Sequence, residues 1–186
     1  STGAFAPAPG VGTGTQVLSG TYNFTTAGTI NATAGSYSNT FNLNSGTLTA
    51  DVIRREFDGL VTTFNFNDGT LASRTNADLT ISRGANATQN MVISLAATGT
   101  HNFQAETNRT ITVAPTAVLA DKAGEAGTLV KAGAGNMILA GTNTYTGLTT
   151  INAGTLSLTN GVALTDTGAV TLSNASGAIL AVNSSE

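Results

Sequence analysis

Few residues in this chain can do chemistry. His101 is the only histidine, and cysteine and tryptophan are absent. A thiolate nucleophile, a disulfide and a thiolate metal site are therefore excluded. A lone imidazole with no second histidine or cysteine beside it reads as a strand residue, at the surface or half-buried, and not as a metal ligand or general base. A serine triad needs that same imidazole and falls with it. Carboxylates are what remain, because a pair flanking a glycosidic bond is the machinery of polysaccharide cleavage. Asp51, Glu56, Asp58, Asp68 and Asp78 are the candidates. Asp58 and Asp68 stand in FDG and NDG, where an Asp side chain serves turn geometry by bonding nearby backbone. The expectation is that no residue is catalytic and that the chain is not an enzyme.

Ligand sites fare no better. A calcium site needs repeated GGxGxD strings or a DxDxDG loop, and neither occurs. The glycine-rich KAGAGNM lacks the Gly-Lys-Ser/Thr end of a phosphate loop and precedes no helical pattern. No metal and no cofactor is expected. Only 9% of residues are charged and the net charge is -3, so the clustered Lys and Arg that bind phosphate by counterion release are lacking. Nucleic acid and anionic membrane surfaces are poor partners on that ground. The longest apolar windows, such as Met91 to Ala97, fall well short of the roughly 20 residues of a spanning helix. Beginning at Ser1, with no initiator Met and no basic-plus-apolar leader, the chain reads as a processed product or a fragment.

The elements that would position any such residue are betrayed by repetition. Gly-Thr-Leu opens apolar alternations at Gly46, Gly69, Gly127 and Gly154, and looser Gly-Thr starts occur at Gly14, Gly28, Gly99 and Gly141. Each unit is a glycine turn followed by four or five residues alternating apolar with Thr, Ser or Asn. Two such units and their partners make a coil of somewhat more than 20 residues. Helix is excluded by the poor helix formers Thr and Asn, by frequent Gly, and by the lack of any i, i+3, i+4, i+7 stripe. Period two assigns inward positions to Phe41, Leu43, Phe64, Phe66, Leu79, Ile81, Val92, Ile93, Ile111, Val113, Leu156, Leu158, Val170 and Leu172. An antiparallel sandwich would also use short strands and glycine turns, yet it has no reason to repeat one string at successive turns. A chain that stacks on itself has that reason. The fold expected is all-β, a right-handed parallel β-helix.

Two stretches break the pattern. Residues 1–13, rich in Pro and Gly, read as a flexible or donor-strand arm preceding a single β-helix over 14–186. Asp51 to Asp58, DVIRREFD, is a charged outward face or a short excursion, with Arg54 and Arg55 pairing inside the run.

Residues 127 to 158, GTLVKAGAGNMILAGTNTYTGLTTINAGTLSL, carry the clearest repeat. They resemble the autotransporter-associated β-strand repeat of bacterial passenger domains. The resemblance rests on Leu129, Lys131, Gly133, Gly135, Leu139, Gly141, Asn143, Tyr145, Gly147, Thr149, Thr150, Ile151, Gly154 and Leu156. Flanking strings, FNFNDGTLAS and HNFQAETNRTITVAP, are similar to neighbouring coils of such repeats. The family implies a secreted, surface-displayed β-helix of a large bacterial protein, extracellular or on the cell surface. The structural positions singled out are Gly133, Gly135, Gly141, Asn143, Tyr145, Gly147, Gly154 and Leu156. Glycines there suit corners of positive φ or close backbone approach. Asn143 is expected in a left-handed corner, bonded to backbone. Tyr145 is expected to cover a coil edge with its hydroxyl in water. An uncapped β-helix end templates pairing, so self-association end to end or by strand exchange is the expected partnership, with a surface glycan or protein as a further partner. The function expected is that of a structural and adhesive segment self-associating into a rod or filament; the alternatives are a carbohydrate-active β-helix, a polysaccharide lyase or hydrolase, and an antiparallel β-sandwich binding module.

Overall fold

The computed structural model describes residues 14–18, 21–23, 29–30, 39–57, 62–159, 163–165, 168–173 and 177–183. Among them are nineteen strands and no helix. The chain winds in coils. The first holds β1 (Gly14–Leu18), β2 (Thr21–Asn23) and β3 (Thr29–Ile30), and the second β4 (Asn39–Leu43), β5 (Thr47–Thr49) and β6 (Val52–Phe57). The third holds β7 (Thr62–Phe66), β8 (Gly69–Ala72) and β9 (Leu79–Asn86), and the fourth β10 (Met91–Leu95), β11 (His101–Gln104) and β12 (Thr110–Val113). The fifth holds β13 (Ala117–Asp121), β14 (Leu129–Ala132) and β15 (Asn136–Leu139). The sixth holds only β16 (Thr149–Ile151) and β17 (Gly154–Leu158), and the seventh β18 (Val170–Leu172) and β19 (Ala178–Val182).

Each strand pairs with the equivalent strand one coil on, always parallel. The first sheet runs β1-β4-β7-β10-β13, the second from β2 to β18 and the third from β3 to β19. The fold is a parallel β-helix, and the uniform strand direction excludes the antiparallel sandwich. Parallel register places like above like. In the first sheet Phe41 lies over Phe64, and Phe64 over Ile93. In the second, Leu48, Leu71, Phe103, Lys131, Ile151 and Leu172 form one column. In the third, Ile53, Ile81, Val113, Leu139, Leu158 and Val182 form another. In β10, β11, β12, β14 and β15 alternate residues point into the coil, and the columns that such residues build are the core. Phe66 packs edge-on against both His101 and Phe103, with ring centroids 5.0 and 5.6 Å away.

The coils first widen, from 23 residues between the partners Leu48 and Leu71, and then narrow. From Leu71 to its partner Phe103 is 32 residues, whereas from Lys131 to Ile151 is 20. The reduction coincides with the loss of the first sheet after β13. On the outer face of that sheet the amides stack as the backbone does. Asn65 Nδ2 donates to Asn42 Oδ1 at 2.7 Å, and Asn67 Nδ2 to Asn44 Oδ1 at 2.7 Å. Lys122 Nζ joins the second pair by donating to Asn67 Oδ1 at 2.9 Å.

Several sequence expectations need correction. Val92 and Ile93 cannot share a face in a strand of period two. In β10 the buried set is Met91, Ile93 and Leu95, and Val92 points outward. Val170 is only half-buried and Leu172 is 46% exposed, because β18 is the outermost described strand of its sheet. The run DVIRREFD is not an excursion. Its residues 52–57 are β6, with Ile53 and Arg55 buried. Asp51 pairs outside the run, with Arg74 at 2.9 Å. The arm at 1–13, and with it the donor-strand reading, lies outside the described residues.

This register predicts a sharp contrast between adjacent faces. Phe66→Ala should cost about 3–5 kcal/mol by leaving a cavity in the core, whereas Val92→Ala should cost about 0.5 kcal/mol or less. Urea unfolding of both variants checks the assignment, and equal losses would contradict it.

Candidate functional site in the repeat coil

The fifth and sixth coils meet where a strand of the first sheet is missing. The β13 edge would be left bare there, at a cost of about 1–3 kcal/mol for each buried unpaired group. The segment 141–148 covers it without becoming a strand. Leu119 N donates to the side-chain Oδ1 of Asn143 at 2.9 Å, so a carboxamide replaces the carbonyl of the absent strand. Leu119 O accepts from Thr144 N at 2.8 Å and from Tyr145 N at 3.3 Å. Asn143 Nδ2 then donates to Gly141 O at 3.3 Å and onward to Ala163 O at 2.8 Å. One buried amide thus ties three successive coils.

Tyr145 and Asp121 secure the two sides of this segment. The Tyr145 hydroxyl is buried and bonded to Thr149 Oγ1 at 2.7 Å, and burial pushes its pKa up to about 12. Its expected exposure to water is therefore corrected: the ring enters the core because no strand fills that face. Thr149 is buried and points inward to meet it. Asn143 is not left-handed; the only positive-φ residue other than glycine among those described is Asn108, at φ 59°. Asp121 Oδ1 accepts from Gly127 N at 2.7 Å and from Thr146 N at 3.0 Å, while its Oδ2 accepts from Thr146 Oγ1 at 2.7 Å.

Glycines make the corners close enough to stack. A Cβ on Gly147 would sit 2.3 Å from Gly127 O, and one on Gly154, where φ is +67°, would sit 2.3 Å from Gly135 O. The structure thus gathers Gly133, Gly135 and Gly154 at one corner, and Gly141, Asn143, Tyr145 and Gly147 along the covering segment. Leu156 stands apart from both, in the core of the third sheet.

Two residues were not legible as interior polar groups. Lys131 points inward from β14 and is fully buried. Its Nζ donates to Ala132 O at 2.8 Å, Gly133 O at 2.8 Å and Ala153 O at 3.0 Å. Burial pushes its pKa down to about 8, which still leaves it an ammonium at neutral pH. The phase was visible, since Lys131 is two residues after Leu129. His101 is fully buried, deeper than the surface or half-buried place expected of it. Its Nδ1 lies 2.9 Å from Thr128 O, and Nε2 is buried with no hydrogen-bond partner among the described residues. Burial lowers its pKa below the usual imidazole value.

The carboxylates weighed for hydrolysis serve the scaffold. Asp68 Oδ1 accepts from Gly69 N at 2.9 Å and Thr100 N at 2.8 Å, Asp78 Oδ1 accepts from Thr110 N at 2.9 Å, and Asp51 faces Arg74. The Glu56 side chain and Asp58 lie outside the described residues. Among the described residues no group of three or more His, Asp or Glu is placed to hold a metal, and no helix is long and apolar enough to cross a membrane.

Residues 129–158 match the passenger-associated-transport-repeat. This is the repeat that the sequence resembles, and its bounds are the first residue of β14 and the last of β17. No curated protein and no solved structure matches the chain. The passenger repeat therefore comprises the corner holding Lys131, the segment with Asn143 and Tyr145, and both strands of the narrowed coil.

Two outcomes test this geometry. Asn143→Ala should destabilise the protein by about 1–3 kcal/mol for each buried group it strands, and should expose the Leu119 amide to hydrogen exchange. The same exchange rate in both proteins would show that the amide does not seal the edge. For His101, a folded pKa below the unfolded value means that the unfolded chain binds the extra proton. Stability should therefore fall as pH drops below about 6.5, and His101→Phe should flatten that part of a melting-temperature profile.

Proposed function

We propose that the chain is a structural and adhesive segment of a secreted bacterial surface protein, displayed outside the cell and associating with further copies end to end. The passenger repeat, set in a continuous parallel β-helix, is the observation that carries this reading. Strand edges of parallel sheets take a further strand laid on them, and β18 and β19, the outermost described strands of their sheets, carry Leu172, Val182 and the outward-facing Ile179, which are 46%, 62% and 51% exposed.

The role needs no reacting group. Its basis is a continuous ladder in which backbone groups are paired between coils, leaving few extended loops for a protease to enter between residues 62 and 159. The flat outer faces, including the Asn42–Asn65 and Asn44–Asn67 pairs, suit hydrogen bonding to a glycan or protein surface. The carbohydrate-cleaving alternative has no comparable support, since the described acidic residues named above are engaged in turns and an ion pair.

Sedimentation at rising concentration should show growing mass that is reduced by Ile179→Lys with Val182→Lys. A parent protein that stays monomeric throughout, or a double variant that assembles just as well, would remove the basis for end-to-end association.

A further inference from the structure

Among the described residues the interior is mostly apolar, so a fully buried lysine without a carboxylate bonded to it calls for a physical reason. The three donors of Lys131 Nζ are each taken by a backbone carbonyl, at 2.8, 2.8 and 3.0 Å. Two of these carbonyls, on Ala132 and Gly133, belong to the fifth coil and the third, on Ala153, to the sixth. Gly133 and Ala153 lie in corners, beyond the ends of β14 and β16. The corner is open to them because its residues are bare: a Cβ on Gly154 would come within 2.6 Å of Gly133 O.

We propose that this corner is a binding site for a primary ammonium group, built by backbone carbonyls of two coils and filled by the protein's own Lys131. Three acceptors converging on one nitrogen match the three N–H bonds of an alkylammonium. They do not match the flat fork of a guanidinium, whose donors diverge in a plane. A quaternary ammonium has the charge but no N–H to give. The backbone of Lys131 joins the same clasp, since Asn152 N donates to Lys131 O at 2.9 Å. Main chain and side chain thus fasten the same two coils from one residue, and the site lies inside the passenger repeat.

The test separates charge and hydrogen bonding from mere bulk. Lys131→Ala leaves the cage with a space shaped like a propyl chain. Its melting temperature should fall by roughly 5–10 °C, the scale on which a few kcal/mol moves a domain of this size. Propylammonium chloride should restore most of that loss with saturation, whereas tetramethylammonium chloride and propanol at the same concentrations should not. Lys131→Met, which fills the volume but strands the carbonyls, should melt below the parent protein, and Lys131→Arg should as well. The proposal is overturned if propanol restores stability as fully as propylammonium, if tetramethylammonium does so, or if Lys131→Met matches the parent protein. None of these readouts depends on adhesion or assembly, so the outcome stands apart from the proposed function.

Discussion

Everything in this molecule follows from parallel pairing between a strand and its own equivalent one turn later. Such pairing repeats at about 4.8 Å, and at that spacing a side chain lies directly against its counterparts above and below. The column then becomes the unit of selection. A residue is tolerated when it suits its column, which is why Phe41 lies on Phe64 and why Asn42 lies beside Asn65. Corners obey the same constraint more harshly. The Gly147 and Gly127 backbones approach so closely that a methyl group at Gly147 would displace one of them.

The passenger repeat is where the constraint is met with side chains as well as backbone. Buried polar groups are costly unless every bond is made, and here they are made across coils. Asn143 spans three coils and Lys131 gathers carbonyls from two, while Tyr145 meets Thr149 within one. Apolar columns alone specify poorly, since one aliphatic layer resembles the next and a slipped register still buries carbon. Polar ties that are satisfied in only one register remove that ambiguity.

The parts of the fold legible in the sequence are those that repetition writes down. Gly-Thr-Leu at Gly46, Gly69, Gly127 and Gly154 marked strand starts, and alternation placed Phe64, Phe66, Leu79 and Ile81 inward. What escaped is whatever depends on the neighbouring coil. The first sheet stops after β13 because Asn143 stands in for backbone, a substitution that no local pattern announces. Tyr145 was expected in water because the vacant face beside it exists only in three dimensions. Val92 was misplaced by reading an apolar pair as one unit, where the pleat allows one of two. Lys131 shows the opposite failing: its phase pointed inward, but without the carbonyls from 132, 133 and 153 a lysine gave no cause to believe the phase.

A sheet that ends midway along a rod normally leaves a raw seam. Here the seam after β13 is closed by a carboxamide and a ring, so a wide three-sided section passes into a slimmer two-sheeted one without a break in the hydrogen bonding of its neighbours. The segment at 141–148 thus behaves as an adaptor between two gauges of the same tubing. Coils of different girth can be joined in one chain wherever such an adaptor is written in, and girth becomes independent of length.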